Sequence, residues 1–429
     1  MTADRVFAKC AWRLIPFMML LFLVNYIDRT NVGFAALTMN ADLAFSPSVY
    51  GFGAGVFFLS YALFQVPSNF VLQRIGAKRW VFCILAAWGL ISAANAFVQG
   101  PVSFYALRFL LGMIEAGFFP GMLLYLTYWF PQAYLARCVA SFNASIPMSF
   151  VIGGPLSGLI LGMDGALDLH GWQWLFLAEG IPASLLAFAV LKQLPDGPAD
   201  ASWLSLEEKE TIAKRLAAEV PPGHSAFWPA LRDPRVLACG FASFGLFIGL
   251  IGVGLWLPQI VQAMGYSNRA TGFIVALPYL VSTGAMILWA RSSDAWGDRI
   301  WHAALSALVA AAGFAGASLA QSDLLVIVAL TFTAVGVLST FSPLSSLVKS
   351  FLSGPAAASG LALYNAIGSV GGFTGPYIIG SLREQSGTYS SSMAILSAIL
   401  VLTATIVLAL GRSMARRSAK EITKAGTAE

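Results

Sequence analysis

The chain has 429 residues, of which 58% are hydrophobic and 10% are charged, and its formal net charge is +5. Soluble chains carry about 25% charged residues, so this composition excludes a set of soluble domains and indicates an integral membrane protein. The positive charge is concentrated between apolar segments, which is typical of membrane topology and gives no reason to expect a nucleic-acid partner.

Apolar segments of about 20 residues recur along the whole chain, and that length spans the hydrocarbon core of a bilayer as an α-helix. The first segment follows Lys9 and Arg13, as a signal peptide would. It is too long for one and carries Asp28 and Arg29, so we expect it to be retained. The sequence predicts an all-α integral membrane protein with twelve transmembrane helices. Their predicted centres are Leu23, Leu59, Leu90, Leu111, Phe150, Leu185, Ile248, Leu280, Leu308, Thr331, Ser369 and Leu400.

The placement of lysine and arginine predicts the orientation of these helices. Basic residues concentrate in the segments that face the cytoplasm if the N-terminus lies inside, whereas the outer loops hold only Arg269 and Arg383. Basic residues near the membrane also favour anionic lipid. The sequence therefore predicts a multi-pass protein of the bacterial inner membrane with both termini in the cytoplasm.

One long polar stretch, Leu194–Arg235, follows the sixth apolar segment. Within it, Ser205 and Glu208 have the spacing of a capping box at the start of a short surface helix, and PPG at 221–223 ends that helix. The predicted domains are an N-terminal six-helix half (1–193), a cytoplasmic linker with an amphipathic helix (194–235), a C-terminal six-helix half (236–411) and a cytoplasmic tail (412–429).

The two predicted halves resemble each other. The stretch from Gly76 to Lys78 follows the second apolar segment. In the same way, the stretch from Gly297 to Arg299 follows the eighth apolar segment. At nearly the same offset, NASIPMSFVIGGP (143–155) in the fifth segment is similar to NAIGSVGGFTGP (365–376) in the eleventh. Parallel halves of this kind characterise one large transporter architecture, in which substrate sites lie near the midplane between the halves.

Several longer motifs resemble the major facilitator superfamily, and within it the anion:cation symporter branch of bacterial permeases for hydroxyphenylacetate, phthalate, tartrate and sugar acids. The resemblance covers nearly the whole chain. The matching stretches are WRLIPFMMLLFLVNYIDRTNVGFAALTMNADL, YGFGAGVFFLSYALFQVPSN, RIGAKRW, LRFLLGMIEAGFFPGMLLYLTYWFP and DGALDLHGWQWLFLAEGIPAS.

This resemblance implies a fold and a site. The fold is two six-helix halves related by pseudo-two-fold symmetry. The aspartate and glutamate at the positions of Asp28 and Glu115 are linked in the branch to proton coupling, and the arginine at Arg29 to the substrate carboxylate. The chain departs from the branch at Gln65, where relatives often have glutamate, and at Ser345, where a tryptophan is common. These departures leave the identity of the acid open.

Four charged residues fall within predicted membrane helices, namely Asp28, Arg29, Arg108 and Glu115. A charge at mid-membrane costs about 2.5–3.5 kcal/mol on insertion scales and usually marks a transport pathway. Arg108 and Glu115 are two helical turns apart and share one helix face. Alternatively, Asp28 with Arg108, or Glu115 with Arg29, neutralise each other and only hold the helices together.

The charges are absent from the equivalent positions of the second half, where Gly249 and Gly336 correspond to Asp28 and Glu115. A purely structural role would favour a copy in each half, so the asymmetry favours a proton site and an anion site. Arginine can hold a carboxylate with two hydrogen bonds. We therefore expect protonation of both acids to release Arg29 for an incoming anion.

Further candidates are polar residues on helices. Tyr61 is predicted to donate to the substrate, and Asn143, Ser345 and Asn365 to line the cavity, with helix packing as the alternative role. Glu179 is expected to be structural. Six residues are predicted to form gating contacts between loops and helix ends, with a purely topological role as the alternative: Gly76, Lys78, Arg79, Asp294, Gly297 and Arg299.

The sequence shows no P-loop, no Ser/His/Asp arrangement and no cluster of metal ligands, so we expect neither an enzyme nor a cofactor. The predicted function is proton-coupled symport of a small organic carboxylate by a monomer in the lipid bilayer. A proton-driven drug or metabolite antiporter, favoured by GGPLSG in the fifth segment, and a non-transporting sensor remain alternatives.

Overall fold

The structure is a computed structural model that describes residues 3–218, 232–352 and 354–426. Within these ranges the regular elements are helices, and they form eleven spans that are long and apolar enough to cross a membrane. Part of the predicted linker, 219–231 with its PPG sequence, lies outside the described residues.

The first six predicted spans are formed by eight helices. Two of those spans are each divided by a short break, at Ala116-Gly117 and at Ala144. The helices are α1 (Ala3–Asp42), α2 (Pro47–Ile75), α3 (Ala77–Ala94), α4 (Pro101–Glu115), α5 (Phe118–Thr127), α6 (Gln132–Asn143), α7 (Ser145–Ile160) and α8 (Gly171–Gln193).

The predicted linker helix is present as α9 (Leu206–Ala217). Its capping box is confirmed, because Ser205 Oγ accepts from the Glu208 backbone N–H at 3.2 Å and Glu208 Oε2 accepts from the Ser205 N–H at 2.8 Å. The Glu208 carboxylate also binds Lys9 Nζ at 2.8 Å. One glutamate therefore starts the helix and ties it to the beginning of α1.

Six further helices account for the remaining predicted spans. The helix at the predicted span around Ser369 is long enough but too rich in glycine and serine to be among the eleven apolar ones. The helices are α10 (Pro234–Gln262), α11 (Asn268–Trp296), α12 (Ile300–Leu319), α13 (Asp323–Phe351), α14 (Gly354–Ser386) and α15 (Ser390–Gly426).

By its internal contacts the chain divides into two compact units. One comprises Met1–Pro221 with Leu255–Ala276, and the other comprises Pro222–Gly254 with Leu277–Glu429. In the first unit α3 and α1 pack against α8, and α2 packs against α4. In the second unit α12 packs against α13 and α15.

Glycines allow the helices of the first unit to approach at backbone distance. A Cβ on Gly112 would lie 2.1 Å from the Phe57 carbonyl, which brings α4 against α2. A Cβ on Gly154, in the GGPLSG stretch, would lie 2.6 Å from the Gly272 carbonyl. Small residues at helix interfaces permit such contacts within membranes. In this structure GGPLSG is therefore a helix-packing surface between α7 and the start of α11.

Candidate functional site

The four predicted charged residues are buried in the first unit. Asp28, Arg108 and Glu115 have no exposed surface, and Arg29 is 8% exposed. Asp28 and Arg29 lie on α1, and Arg108 and Glu115 lie on the packed face of α4. Buried charges of this kind require partners, so the contacts of each one define what the site can do.

Arg29 and Glu115 form a buried ion pair, with Nη2 and Oε2 2.9 Å apart. Asn25 Nδ2 donates to the same Glu115 oxygen at 2.8 Å. Glu115 is the last residue of α4, where the helix dipole disfavours a negative charge. Arg29 offsets this repulsion. Arg29 Nε and Glu115 Oε1 have no hydrogen-bond partner among the described residues, so the pair keeps unused hydrogen-bonding capacity.

Three aromatic rings surround the guanidinium of Arg29. Its central carbon lies 5.1 Å from the ring centroid of Tyr26, 5.2 Å from Phe57 and 4.8 Å from Tyr61. The faces of these rings attract a cation, and guanidinium is more weakly hydrated than ammonium. The predicted ligand residue Tyr61 therefore belongs to this aromatic cage, defined by Tyr26, Phe57 and Tyr61.

Asp28 is bound by neutral donors and not by an arginine. Trp88 Nε1 donates to its Oδ2 at 2.5 Å, and Asn31 Nδ2 donates to its Oδ1 at 3.1 Å. Ser92 Oγ also donates to Oδ1. Trp88 and Ser92 lie on α3, and the sequence analysis did not identify either of them. Tryptophan and serine in an apolar helix carry no charge that would have revealed them.

Arg108 is a buried cation without a hydrogen-bonded anion. Its Nε and both terminal nitrogens lack a hydrogen-bond partner within the described ranges, and no carboxylate there lies within salt-bridge distance of it. Its guanidinium carbon is 5.1 Å from the centroid of Phe57, the ring that also contacts Arg29. Of the two alternative pairings, the structure therefore contains Arg29 with Glu115 and lacks a direct contact between Asp28 and Arg108.

The other predicted ligand residues lie elsewhere. Asn143, at the end of α6, is half-buried, and its Oδ1 has no hydrogen-bond partner in the part of the chain that is described. The described contacts do not connect it to the buried charges. Ser345 and Asn365 lie on α13 and α14 in the second unit, where Ser345 Oγ donates to the Ser342 carbonyl at 3.1 Å.

The predicted gating residues of the first unit surround a tight connection. Gly76 separates α2 from α3 with φ of 87° and ψ of 156°, a conformation that favours glycine. The Lys78 N–H donates to Asp196 Oδ1 at 2.9 Å, and a Cβ on Gly76 would lie 2.8 Å from that oxygen. Arg79 is exposed. Asp196, which the sequence analysis missed, therefore holds the start of α3.

The equivalent residues of the second unit form a similar turn with different contacts. Gly297 separates α11 from α12 with φ of 65°. Arg299 Nη1 pairs with Asp294 Oδ1 at 2.6 Å and donates to Ser293 Oγ at 2.9 Å. Both glycines of the sequence repeat thus have positive φ between consecutive helices, although their neighbours differ.

Comparison with known proteins places this chain in a family. The family model of the Major Facilitator Superfamily matches residues 18–376 and 271–427. A "Putative tartrate transporter" of Agrobacterium vitis is 46% identical over 97% of this chain and 97% of its own length. A "Quinolone resistance transporter" of Acinetobacter baumannii is 41% identical over 92% of each chain.

A solved structure supports the same fold. The bacterial homologue of the human lysosomal transporter Spinster, in its inward-facing and unoccupied conformation, superposes with a TM-score of 0.78. The match covers 95% of this chain and 98% of that chain at 17% sequence identity. The relatives are membrane transporters and not enzymes. The chain is therefore a multi-pass membrane protein that belongs to the Major Facilitator Superfamily.

Proposed function

We propose that this protein is a secondary active transporter that couples uptake of a small organic carboxylate to protons by alternating access. The observation that carries the proposal is the buried pair of Arg29 and Glu115, in which a carboxylate of the protein accepts from one terminal nitrogen of Arg29. A substrate carboxylate offers the same chemistry. The Agrobacterium vitis relative named for tartrate supports an organic acid as substrate.

Protonation of Glu115 is the step that frees Arg29. A neutral carboxyl loses the charge attraction to the guanidinium, while Asn25 and the aromatic cage still hold the side chains in place. The incoming carboxylate then takes the fork that Glu115 has left. Because the anion enters when a proton is bound, the two are carried together.

Arg108 supplies a second positive charge to the same region. Asp28 and Glu115 are the two acids whose charges act on it. When these acids are protonated, two arginines remain without a compensating negative charge, and burial makes that state costly. An organic anion restores neutrality. This requirement favours joint binding of protons and anion over binding of either alone.

The test is uptake by the purified protein in proteoliposomes. We expect labelled tartrate, or another small carboxylate in a competition panel, to accumulate when the outside is acidic, and an uncoupler to abolish the accumulation. Accumulation that ignores the pH gradient would contradict proton coupling. No transport of any carboxylate in the panel would contradict the substrate class.

A drug antiporter is the second candidate, because one relative is named for quinolone resistance. Proteoliposomes with an acidic interior distinguish the two functions. An antiporter takes up its drug under that gradient, whereas the proposed symporter takes up its acid under the opposite gradient. In the cell we propose a location in the bacterial inner membrane with both termini in the cytoplasm.

A further inference from the structure

Two helices of the predicted C-terminal half change partners along their length. Each of α10 and α11 is continuous, yet the boundary between the two compact units falls inside both of them. The hairpin Leu255–Ala276 comprises the end of α10, the loop that follows and the start of α11. By its contacts this hairpin belongs to the first unit, although the predicted C-terminal half (236–411) contains all of it.

A proline lies close to each point where the unit changes. Pro258 lies inside α10, and Pro278 lies inside α11. Proline has no N–H, so the carbonyls of Gly254 and Ile274 lose the donor that a helix supplies four residues further on. The unit boundary falls within both of these turns. Because helices bend most sharply where such a bond is missing, two weakened turns join the hairpin to the rest of its helices.

The first half does not share these weakened turns. By the internal repeat, Pro258 corresponds to Leu37 of α1, and Pro278 corresponds to Phe57 of α2. Leucine and phenylalanine keep the N–H that proline lacks, so α1 and α2 keep their helical hydrogen bonds at these positions. The two prolines are therefore a property of the hairpin and not a requirement of the architecture that both halves share.

Hydrogen bonds to backbone carbonyls hold the hairpin on the first unit. Tyr50 Oη of α2 donates to the Leu255 carbonyl at 3.1 Å. Gln262 Nε2, at the end of α10, donates to the Leu37 carbonyl of α1 at 3.3 Å. Interhelical hydrogen bonds within membranes are individually weak. These contacts can therefore be broken and remade during a transport cycle.

Glycines form the other side of the contact. A Cβ on Gly158 of α7 would lie 2.9 Å from the Asn268 carbonyl, and a Cβ on Gly272 of α11 would lie 2.4 Å from the Gly154 carbonyl. The two backbones thus meet without interdigitating side chains at these positions. Such a surface packs closely, and it separates without a change of side-chain rotamers.

The docked hairpin lies beyond the proposed site along α1. Leu37, which it contacts, is about 12 Å further along this helix than Arg29, and the loop of the hairpin is predicted to face outwards. We propose that the hairpin Leu255–Ala276 is a lid, which closes the outer access to the site when docked and opens by bending at Pro258 and Pro278. This inference rests on the proposed alternating access, and neither on the coupling ion nor on the substrate class.

The first experiment measures distances between spin labels by pulsed electron paramagnetic resonance, on the full-length chain in nanodiscs with its native cysteines replaced by alanine. One label is placed at Ala263 of the hairpin, and the other at Gln99 of the first unit or Gln321 of the second, all of which are exposed. Tartrate at acidic pH is compared with no tartrate at alkaline pH. Both distances are expected to change.

The two label pairs distinguish bending from rigid motion. If whole halves move as rigid bodies, the distance from Ala263 to Gln321 stays constant while the distance from Ala263 to Gln99 changes. That result would overturn the bending at the prolines. Two unchanged distances would overturn the lid itself.

Replacing the prolines tests the weakened turns. Pro258→Ala and Pro278→Ala restore the helical N–H and stiffen the bend. Each is expected to lower the rate of tartrate exchange in proteoliposomes by roughly 2- to 10-fold at an unchanged amount of folded protein. Pro182→Ala is the matched control, because Pro182 is an interior proline of α8, a helix that lies entirely in the first unit. Wild-type rates in all three variants would contradict bending at these turns.

Tyr50→Phe acts in the opposite direction and needs no transport. It keeps the ring and removes the hydrogen bond to the Leu255 carbonyl. The undocked share in the distance distribution from Ala263 to Gln99 is expected to rise roughly 2- to 10-fold. An unchanged distribution would contradict the docking contact. A protein that transports no carboxylate would instead contradict the proposed substrate class, while the distances would still decide whether the hairpin is a lid.

Discussion

Arg29 lies in surroundings that distinguish arginine from lysine. Its Nη2 pairs with Glu115, and its guanidinium carbon lies about 5 Å from the centroids of the three rings of the aromatic cage. Lysine is a compact, strongly hydrated point charge and satisfies neither requirement equally well. The identity of the residue at this position therefore matters beyond its charge.

Arg29→Lys is predicted to weaken substrate binding although the charge is kept. Losing one charge-assisted hydrogen bond costs about 1.5–3 kcal/mol, which corresponds to a rise of roughly 10- to 100-fold in KM. The measurement is concentration-dependent uptake in proteoliposomes. Arg13→Lys, at an exposed position away from the site, is the matched control. Wild-type affinity in Arg29→Lys would contradict the role of the fork.

The sequence was sufficient to identify the charged residues but not their partners. Charge within an apolar segment predicted that Asp28, Arg29, Arg108 and Glu115 would be functional candidates, and all four are buried. Both alternative pairings fitted the spacing equally well. The choice between them depends on how far α1 and α4 rotate about their axes, and periodicity does not contain that information. The same holds for the donors that α3 supplies to Asp28.

The connections between helices show how one sequence motif can have two environments. Gly76 and Gly297 were aligned by the repeat, and both have positive φ. Gly76 is crowded by Asp196, whereas a Cβ on Gly297 would meet no atom within 4 Å. The repeat thus aligned the two connections but did not predict the neighbour, because Asp196 comes from the linker after the sixth span and has no counterpart in the repeat.

Gly76→Ala is predicted to destabilise the protein more than Gly297→Ala. Both changes strain the backbone by about 1–3 kcal/mol, and only the first adds a close contact with Asp196. Thermal unfolding of the two variants in detergent measures the difference. Equal losses would show that Asp196 moves aside without cost. If the connection also gates transport, Gly76→Ala lowers the transport rate of the folded protein.

The contact between Lys9 and Glu208 is predicted to make the docking of α9 dependent on pH. The hydrogen bond from Lys9 lowers the pKa of Glu208 below its ordinary value of 4.5. A lowered pKa means that the contact stabilises docking above the ordinary value and is lost as pH falls through the lowered one. The protection of the α9 amides, measured relative to the intrinsic exchange rate, is therefore expected to fall below about pH 4.5.

Two variants check this assignment. Glu208→Gln is expected to show low protection of the α9 amides at neutral pH, with little further loss of protection on acidification. Glu210→Gln is the matched control, because Glu210 is exposed and pairs with Lys214 of the same helix at 3.5 Å. Loss of the Lys214–Glu210 pair in this control should leave the acid-induced loss of α9 protection intact. Protection of α9 that is unaffected by Glu208→Gln would contradict the role of the ion pair.

At the scale of the whole molecule, composition alone predicted a chain of membrane helices, and each predicted span corresponds to a helix or a pair of helices. The breaks at Ala116-Gly117 and Ala144 were not predicted, since the hydropathy remains high through both. The division of the chain at 193 and 236 remains a prediction.

Proton coupling is a property of the complete transport cycle, so its prediction concerns the whole molecule. Asp28→Asn and Glu115→Gln mimic the protonated acids and should retain substrate binding. Uptake driven by a proton gradient is expected to fall steeply, because the carrier cannot release a proton. Exchange of internal for external substrate needs no such release and is expected to survive in at least one variant. Measuring counterflow and gradient-driven uptake on the same preparation separates exchange from proton-coupled uptake.

If the four charges only hold the helices together, the outcome differs. Removing Glu115 then leaves Arg29 unpaired at a cost of about 3–5 kcal/mol, and folded protein, exchange and uptake decline together. Glu115→Gln keeps an oxygen that can accept from Asn25 and Arg29, so its geometry is preserved better than that of Glu115→Ala. If uptake and exchange are both lost in proportion to folded protein in Asp28→Asn and in Glu115→Gln, the coupling role is rejected.

The hydrogen bond from the Trp88 indole to Asp28 makes this tryptophan an intrinsic optical reporter of the proposed proton site. The indole is fully buried, so its emission depends on the acceptor that it faces and not on bulk water. A neutral Asp28 is a weaker acceptor than a carboxylate, and the emission of Trp88 changes with that difference. Subtracting the spectrum of Trp88→Phe isolates the signal from the other eleven tryptophans of the twelve in the chain. Rapid mixing with acid or substrate would then follow the occupancy of Asp28 in real time, without a label.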